Sequence, residues 1–277
     1  MEFTKMQGLG NDYIYVNGFT QQILQEQKST LAKQLSDRHF GIGSDGLIFI
    51  NPSEIADFEM EMYNADGSRS EMCGNGIRCV AKYVFDHHMT DRREFTIESM
   101  GAIKKIRIMN DGDVAENIRV DMGKPILSAK EIPVIAAKDP VVDVPVSAGG
   151  REFRMTCVSM GNPHAVIFED PDVIDLPKYG SLMECHDLFP NRTNVEFVRI
   201  IDRNNVRMRV WERGTGETFA CGTGCCATAV ACILNGYTDR DVTVHVLGGD
   251  LHILWDEDDH VYMTGPAVNV FDGTVEV

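Results

Sequence analysis

The first third of the chain alternates apolar and polar residues in several short runs. The clearest runs are EFTKMQ (2–7), DYIYVNGF (12–19), LIFINP (47–52) and FEMEMYN (58–64). Successive side chains of a strand point to opposite faces of its sheet, so this alternation is typical of half-buried strands. It predicts that each part of the chain begins with a sheet built from short strands.

Three other stretches have the apolar spacing of a helix. Apolar residues recur at intervals of three and four in 76–88 and 224–236, and a further helix is predicted within 21–40. Gly236 stands where a helix-ending glycine is expected. The first two predicted helices each follow a Cys-Gly-x-Gly sequence, CGNG at 73–76 and CGTG at 221–224.

The chain repeats itself in order and spacing. Four pairs of segments match: 9–16 with 160–168, 71–79 with 219–227, 95–108 with 242–255, and 120–125 with 263–267. Four matches in register indicate a duplicated unit of about 120 to 150 residues, the size of one domain.

The fold class predicted is therefore α+β, with two pseudo-symmetric domains, each a curved, mostly antiparallel sheet wrapped around a central helix. The expected domains are 1–118, to which 264–277 returns, and 119–263, with an active-site cleft between them. The proline- and valine-rich segment 124–150 is interpreted as a connection plus an edge strand, and as the place where the halves meet.

The net charge of the chain makes some classes of binding partner improbable. The formal net charge of −16 repels phosphate backbones and anionic membranes, so neither nucleic acid nor a membrane is expected as a partner. No apolar run approaches the roughly 20 residues of a membrane span, and the N-terminal MEFTKMQGLGND lacks a signal-peptide pattern. A soluble, cytoplasmic protein is expected.

The eight cysteines do not have the pattern of a metal or redox site. No two of them have the C-x-x-C spacing usual for structural zinc or for thiol–disulfide exchange, so no metal is expected. Most of these thiols are expected to be small core residues. The adjacent Cys225 and Cys226 have no functional explanation from sequence.

Each Cys-Gly-x-Gly motif places a thiol at a predicted helix start. Unpaired backbone N–H groups and the helix dipole there favour anions, so they should lower the pKa of the cysteine and can hold a carboxylate. A single such motif is more often only a buried cysteine at a tight turn. Two copies in a duplicated chain instead predict one thiol on each side of a ligand, as needed to remove an α-proton from one face and return it to the other.

Long motifs in this order resemble the diaminopimelate epimerase family along the full length of the chain. They are KMQGLGNDYIYV, RHFGIGSDGL, YNADGSRSEMCGNGIRC, VSMGNPHAV, RTNVEFV, WERGTGETFACGTGCCA and MTGPA. The resemblance implies cofactor-independent interconversion of LL- and meso-2,6-diaminopimelate, in lysine and cell-wall precursor synthesis, with Cys73 and Cys221 as the catalytic pair. It also makes a homodimer plausible.

The same resemblance implies roles for the residues around the thiols. Glu212 and Arg213 should engage the distal end of the substrate, and His164 and Glu212 should tune the thiol pKa values. Gly46 stands where some family members carry a substrate-contacting glutamine, so that contact must be absent or replaced. The implied substrate-binding residues are Asn11, Asn64, Gly74, Asn75, Asn162, Asn194, Glu212, Arg213, Gly222 and Thr223.

Three other functions remain open at this point. A proline or hydroxyproline racemase would use the same two-cysteine logic, but a cyclic substrate has no second charged end for Glu212 and Arg213. A redox-sensing protein would pair the two thiols as a disulfide. A non-catalytic amino-acid-binding module would need the two carboxylate sites but not the thiols.

Overall fold

The computed structural model describes residues 1–70 and 73–277. The chain forms two compact units, Met1–Val120 with Gly265–Val277, and Asp121–Thr264. Glu71 and Met72, which precede the first cysteine motif, lie outside the described residues. Among the described residues, no helix is both long and apolar enough to cross a membrane.

In the part of the chain that the structure describes, the first unit contains two helices and nine strands. In chain order these are β1 (Glu2–Gly8), β2 (Asn11–Asn17), α1 (Gln25–Ser36), β3 (Gly46–Asn51), β4 (Phe58–Asn64), β5 (Arg69–Ser70), α2 (Gly74–Asp86), β6 (Glu94–Ser99), β7 (Ala102–Ile108), β8 (Asn117–Asp121) and, at the end of the chain, β18 (Val268–Thr274).

The second unit has the same inventory. Its elements are β9 (Val144–Ala148), β10 (Arg151–Ser159), β11 (Pro163–Ile167), α3 (Leu176–Glu184), β12 (Asn194–Ile200), β13 (Asn205–Glu212), β14 (Gly216–Thr218), α4 (Gly222–Leu234), β15 (Asp241–Val246), β16 (Gly249–Trp255) and β17 (Val261–Pro266).

The two units repeat one strand order. The first unit runs β18-β1-β2-β3-β4-β6-β7-β8 with β5 also on β4, and the second runs β9-β10-β11-β12-β13-β15-β16-β17 with β14 also on β13. The pairs β2–β3 and β4–β6 are parallel, as are their counterparts β11–β12 and β13–β15. The predicted fold class, two pseudo-symmetric and mostly antiparallel α+β domains, is confirmed.

Each sheet holds a buried helix against one face. Helix α4 packs on β10, β11, β12, β13, β15 and β16. Its residues Cys225 to Cys232 are all buried, which explains why its sequence is apolar around its whole circumference. Helix α2 packs on β1, β2 and β18 and is buried from Gly74 to Phe85. The predicted central helices are therefore present.

The other face of each sheet carries a second helix. In the first unit, Leu31 and Leu35 of α1 pack with Ile14, Val16 and Leu47. In the second unit, Leu176 and Met183 of α3 pack with strand residues such as Val195 and Phe197. Strand residues alternate between faces, so the neighbours of these core residues point to the opposite face, toward α4. These neighbours include Glu196 on β12 and His164 on β11.

The three predicted helices are present, although α1 is shorter at both ends than the predicted 21–40. Helix α1 occupies Gln25–Ser36 within the predicted 21–40, and α4 ends at Leu234 with Gly236 at φ +72°. The segment 124–150 contains β9, which pairs with β10, so the edge strand predicted there is present. Helix α3 was not predicted.

Candidate active site

Both Cys-Gly-x-Gly cysteines are the N-cap residues of helices, as predicted. The Gly76 N–H donates to the Cys73 sulfur at 3.2 Å, and the Gly224 N–H donates to the Cys221 sulfur at 3.4 Å. Each sulfur thus satisfies one of the N–H groups that a helix start leaves without an intrahelical partner. Cys221 is buried, whereas Cys73 is partly exposed.

The Asp45 carboxylate orients the side-chain amide of Asn11 toward Cys73. The Cys73 thiol donates to Asn11 Oδ1 at 3.1 Å, and Asn11 Nδ2 donates to Asp45 Oδ2 at 2.7 Å. Since an ionised carboxylate only accepts hydrogen bonds, Asp45 fixes which end of the Asn11 amide faces the sulfur. Arg38 in turn pairs with Asp45 at 2.9 Å.

Two further groups lie beside Cys73. Asn75 Nδ2 donates to Asn11 Oδ1 at 3.4 Å, and Asn75 Oδ1 accepts from Arg78 Nη2 at 2.9 Å. Burial, and then the charge of Cys73, raise the pKa of Tyr13 well above its ordinary value. The Tyr13 phenol is therefore a neutral hydrogen-bonding group at physiological pH.

The surroundings of Cys221 differ in charge from this arrangement. Burial is the largest effect on Cys221, and the carboxyls of Glu212 and Glu196 add to it, so the pKa of Cys221 lies well above its ordinary value. The Thr223 hydroxyl, 3.5 Å from the sulfur, and the Gly224 N–H act in the opposite direction but do not outweigh burial. Burial and the neighbouring carboxyls outweigh the effect of the helix start, so the prediction of a lowered pKa is wrong for Cys221.

Glu212 is half-buried beside this thiol. Burial raises the pKa of Glu212, and the Thr218 hydroxyl donates to Glu212 Oε1 at 2.5 Å. Glu212 therefore lies in contact with the Cys221 thiol, a candidate catalytic group. The carboxyl of Glu212 contributes to the raised pKa of Cys221, and the tuning role that the family resemblance implied stays a prediction.

Asn194 and Glu184 hold the hairpin that carries Arg213. The Arg213 N–H donates to Asn194 Oδ1 at 2.9 Å, and Asn194 Nδ2 donates to Pro163 O at 2.9 Å. Glu184 accepts from Trp211 Nε1 and from Gly214 N, both at 2.8 Å. Both ends of the Asn194 amide are therefore hydrogen-bonded to backbone groups, and they hold the turn that carries Arg213.

The Arg213 side chain itself is exposed. It donates from Nη1 to Asn191 O at 3.2 Å, and no carboxylate of the described residues forms an ion pair with it. A guanidinium presents several donors in a planar fork that matches a carboxylate. Arg213 is therefore available to a carboxylate from outside the chain.

His164 lies between Asn162 and a residue that sequence reasoning missed. Its Nε2 is 3.0 Å from Asn162 Oδ1, and its Nδ1 is 2.7 Å from Glu196 Oε1. His164 and Glu196 are both fully buried. A charged residue type inside the otherwise apolar strand sequence NVEFV was the signal that could have identified Glu196.

The remaining predicted residues occupy simpler places. Gly74 and Gly222 begin α2 and α4. Asn64 ends β4 and donates from Nδ2 to Ser68 Oγ at 3.0 Å. At Gly46 a Cβ atom would stand 2.1 Å from the Tyr63 carbonyl oxygen, so a side chain there would require the backbone to shift. Asp45, Arg38 and Glu184 join Glu196 as residues that sequence reasoning did not select.

Comparison with known proteins identifies the family of this chain. The family model for diaminopimelate epimerase matches residues 3–128 and 156–270. The chain belongs to the diaminopimelate epimerase family. Relatives of that name include those of Acetivibrio thermocellus, 56% identical over 279 residues covering 100% of this chain and 99% of the relative, and Methanococcus maripaludis strain S2, 54% identical with full coverage of both.

Solved structures with little sequence identity share the family's fold. A PhzF-family phenazine biosynthesis protein of Bacillus anthracis has a TM-score of 0.71 at 17% identity, covering 100% of this chain and 99% of that one. A hydroxyproline epimerase of Agrobacterium vitis has a TM-score of 0.67 at 14% identity, covering 99% and 90%. At such identities the likeness concerns the fold alone.

One prediction follows from the contacts of Asp45. In Asp45→Asn, the residue facing Asn11 can both donate and accept, so the Asn11 amide loses its fixed orientation toward Cys73. We expect the family's reaction to slow about tenfold in kcat, because a misplaced polar group weakens catalysis by this order or more. The rate of Cys73 alkylation, measured by peptide mapping, should change as well.

The matched control is Asp239→Asn, which alters a carboxylate paired with Arg203 on the surface. It should leave both rates unchanged. If Asp45→Asn behaves like this control, Asp45 does not position Asn11.

Proposed function

We propose that this protein interconverts LL- and meso-2,6-diaminopimelate, without a cofactor, by acid/base chemistry at two thiols. Family membership at more than 50% identity over the whole chain supports the reaction. The observation that carries the mechanism is the repeated placement of a cysteine sulfur at the N-cap of a buried helix.

In the proposed mechanism, Cys73 and Cys221 act on opposite faces of one α-carbon. One thiolate removes the α-proton, and the other thiol supplies a proton to the opposite face, which inverts the centre. In the reverse direction the roles exchange.

Backbone N–H groups at the two helix starts are proposed to hold the reacting carboxylate. Gly74 with Asn75, and Gly222 with Thr223, supply these groups. As the α-proton leaves, negative charge moves onto the carboxylate, and fixed donors stabilise that charge more than they stabilise the ground state. Asn11, Asn64 and Asn162 are proposed to contact the substrate beside them.

Arg213 and Glu212 are proposed to select the distal end of diaminopimelate. An exposed guanidinium without a protein carboxylate suits the distal carboxylate, and Glu212 suits the distal ammonium. Proline and hydroxyproline have no such end. This difference favours the diamino acid over a cyclic substrate.

Proton NMR in D₂O tests the proposed function. The reduced protein is mixed with LL-diaminopimelate and EDTA, without added cofactor, and the α-proton signal is followed. Deuterium should enter the α-position as meso product forms, and proline should not exchange. An unchanged α-proton signal would reject the reaction, and exchange of proline alone would favour the racemase alternative.

Arg213→Ala should lower kcat/KM for diaminopimelate about ten- to a hundredfold. A hydrogen bond to a charged group is worth about 1.5–3 kcal/mol, and this substitution removes the proposed partner of the distal carboxylate. Arg213→Lys keeps the charge but not the planar fork, so it should fall between wild type and alanine. The measurement is the initial epimerisation rate as a function of substrate concentration.

A short amino acid without a distal carboxylate is the control for Arg213. Its slow α-proton exchange should be the same in wild type and Arg213→Ala. Equal losses of rate on both substrates would show that Arg213 does not recognise the distal carboxylate.

We further propose that the protein works in the cytoplasm as a homodimer. Supporting a second copy, Val268, Val270 and Phe271 of β18 are exposed apolar side chains close together on one strand. Sedimentation equilibrium tests the dimer, and a monomer at micromolar concentration would reject it.

A further inference from the structure

Glu196 is a fully buried carboxyl directly behind the Cys221 turn. It lies on β12 with 0% exposure. A Cβ atom added at Gly224, in the first turn of α4, would be 2.8 Å from Glu196 Oε1. The glycine therefore makes room for this carboxyl. Glu196 Oε1 contacts His164, and Oε2 has no hydrogen-bond partner among the described residues.

The first unit shows that the fold does not require a carboxyl at this place. In parallel pairing, Tyr13 lies opposite Gly46 and His164 lies opposite Asn194. Tyr13 and His164 are equivalent in the repeated segments 9–16 and 160–168, so their partners Gly46 and Asn194 are equivalent as well. Two residues further along these strands, Ile48 and Glu196 therefore occupy equivalent positions. A Cβ added at Gly76 would be 3.0 Å from Ile48 Cδ1, just as one at Gly224 meets Glu196. Of these two equivalent positions, the one behind Cys73 carries isoleucine and the one behind Cys221 carries a buried acid.

The titratable groups around Glu196 determine whether its carboxyl is protonated. His164 on β11, Glu212 on β13, Cys221 at the start of α4 and Cys157 on β10 all interact with it electrostatically. His164 is the one basic group in this set, and the other three become negative when they ionise. Burial raises the pKa of Glu196, and the charge of His164 only partly offsets this. A neutral Glu196 avoids a buried negative charge beside three acidic neighbours.

A neutral Glu196 determines the tautomer of His164. The carboxylic O–H donates to His164 Nδ1, which leaves the ring proton on Nε2. Nε2–H then donates to Asn162 Oδ1, 3.0 Å away. The Asn162 Nδ2 end is consequently directed away from the histidine and available as a donor.

We propose that Glu196 is a positioning residue that stays protonated, donates to His164 Nδ1 and through the imidazole fixes the amide of Asn162. The consequence for catalysis rests on the proposed function, in which Asn162 contacts the substrate. The imidazole is neutral in this arrangement and serves as an orienting link between the carboxyl and the amide. The alternative is an ion pair, in which an ionised Glu196 accepts from a His164 imidazolium.

Two substitutions separate these arrangements. Glu196→Gln keeps an N–H donor to Nδ1 and cannot ionise, so epimerisation should stay within about fivefold of wild type, the scale of one neutral hydrogen bond. Glu196→Ile introduces the residue found in the first unit and removes the donor. It should lower kcat up to about a hundredfold, because Asn162 is no longer held in place.

Nitrogen NMR of ¹⁵N-histidine-labelled full-length protein provides a readout that does not depend on activity. In wild type and Glu196→Gln, His164 should show an unprotonated Nδ1 and a protonated Nε2 throughout neutral pH. In Glu196→Ile this single tautomer should be lost. Ile48→Leu, which disturbs packing at the equivalent place in the first unit, should leave the His164 signals unchanged.

Each outcome bears on the proposal. An imidazolium spectrum for His164 in the wild-type protein would overturn it, and so would a Glu196→Gln variant as inactive as Glu196→Ile. If the wild type shows the expected tautomer but does not epimerise diaminopimelate, the proposed function fails while the assignment of the Glu196 proton stands.

Discussion

Alanine in place of Cys73 or Cys221 is expected to lower turnover of diaminopimelate at least a hundredfold. Acid/base groups that transfer the proton of the reaction contribute about 10²–10⁴-fold. The two substitutions should not be additive, because either one interrupts the same inversion. The measurement is the rate of meso product formation by each single variant and by the double variant.

The buried cysteines of α4 provide the control for these variants. Cys225 and Cys226 are fully buried close to Cys221. Cys226→Ala removes a thiol of the same helix without touching the proposed chemistry, so its turnover should stay within about threefold of wild type, the range of a modest packing change. Near-full activity in Cys73→Ala or Cys221→Ala would refute the two-thiol mechanism.

The second large effect is expected on stability. Lys28 on α1 and Glu61 on β4 form an ion pair at 2.5 Å, with side chains only 11% and 4% exposed. Glu61 also accepts from Gln25 at 3.0 Å, from Tyr63 at 2.8 Å and from Asn51 at 2.9 Å. Lys28→Met removes the nearer and more buried cation and leaves only the exposed Arg69, 3.8 Å from Glu61, and we expect a loss of about 3 kcal/mol in the free energy of unfolding.

The same pair predicts how stability depends on pH. Burial alone would raise the pKa of Glu61, but its hydrogen bonds, with Lys28 first, lower it from 4.5 to about 2. A carboxyl with a lowered pKa stabilises the fold above its unfolded value, and this contribution is lost as pH falls from about 4.5 to about 2. Urea unfolding across this range should show a shallower pH dependence in Lys28→Met.

Two controls accompany the stability measurement. Arg203→Ala removes an ion pair whose side chains are 62% and 51% exposed, and it should change stability by less than about 1 kcal/mol. Lys28→Met combined with Glu61→Leu removes both charges and should recover most of the loss. An unchanged unfolding midpoint in Lys28→Met alone would contradict the expected role of the pair.

The repeated fold was predictable because it depends on local pattern. Alternation predicted β1 to β4, and apolar spacing with Cys-Gly-x-Gly in front predicted α2 and α4. Helix α3 was missed because it has only nine residues and contains Pro177 and Gly180. Its glycine is explained by packing, since a Cβ there would be 2.7 Å from the Trp211 side chain.

The electrostatics of the site were not predictable to the same degree. The sequence correctly indicated a thiol at each helix start, but the pKa of Cys221 depends on burial and on carboxyls from β12 and β13. Likewise, Asp45 acts through Asn11, which is 34 positions earlier in the chain. Such contacts between distant residues are set by strand pairing and not by local sequence.

The equivalence of Ile48 and Glu196 has a consequence for protein engineering. A chimaera built from two copies of the first unit would keep a cysteine at both helix starts, yet it would carry isoleucine in place of Glu196 and asparagine in place of Glu212. Both of its Cys-Gly-x-Gly turns would then have the same neighbouring side chains. Although the two halves share a strand order and a cysteine turn, their side chains differ at these places, so substituting one half for the other would change the surroundings of a thiol.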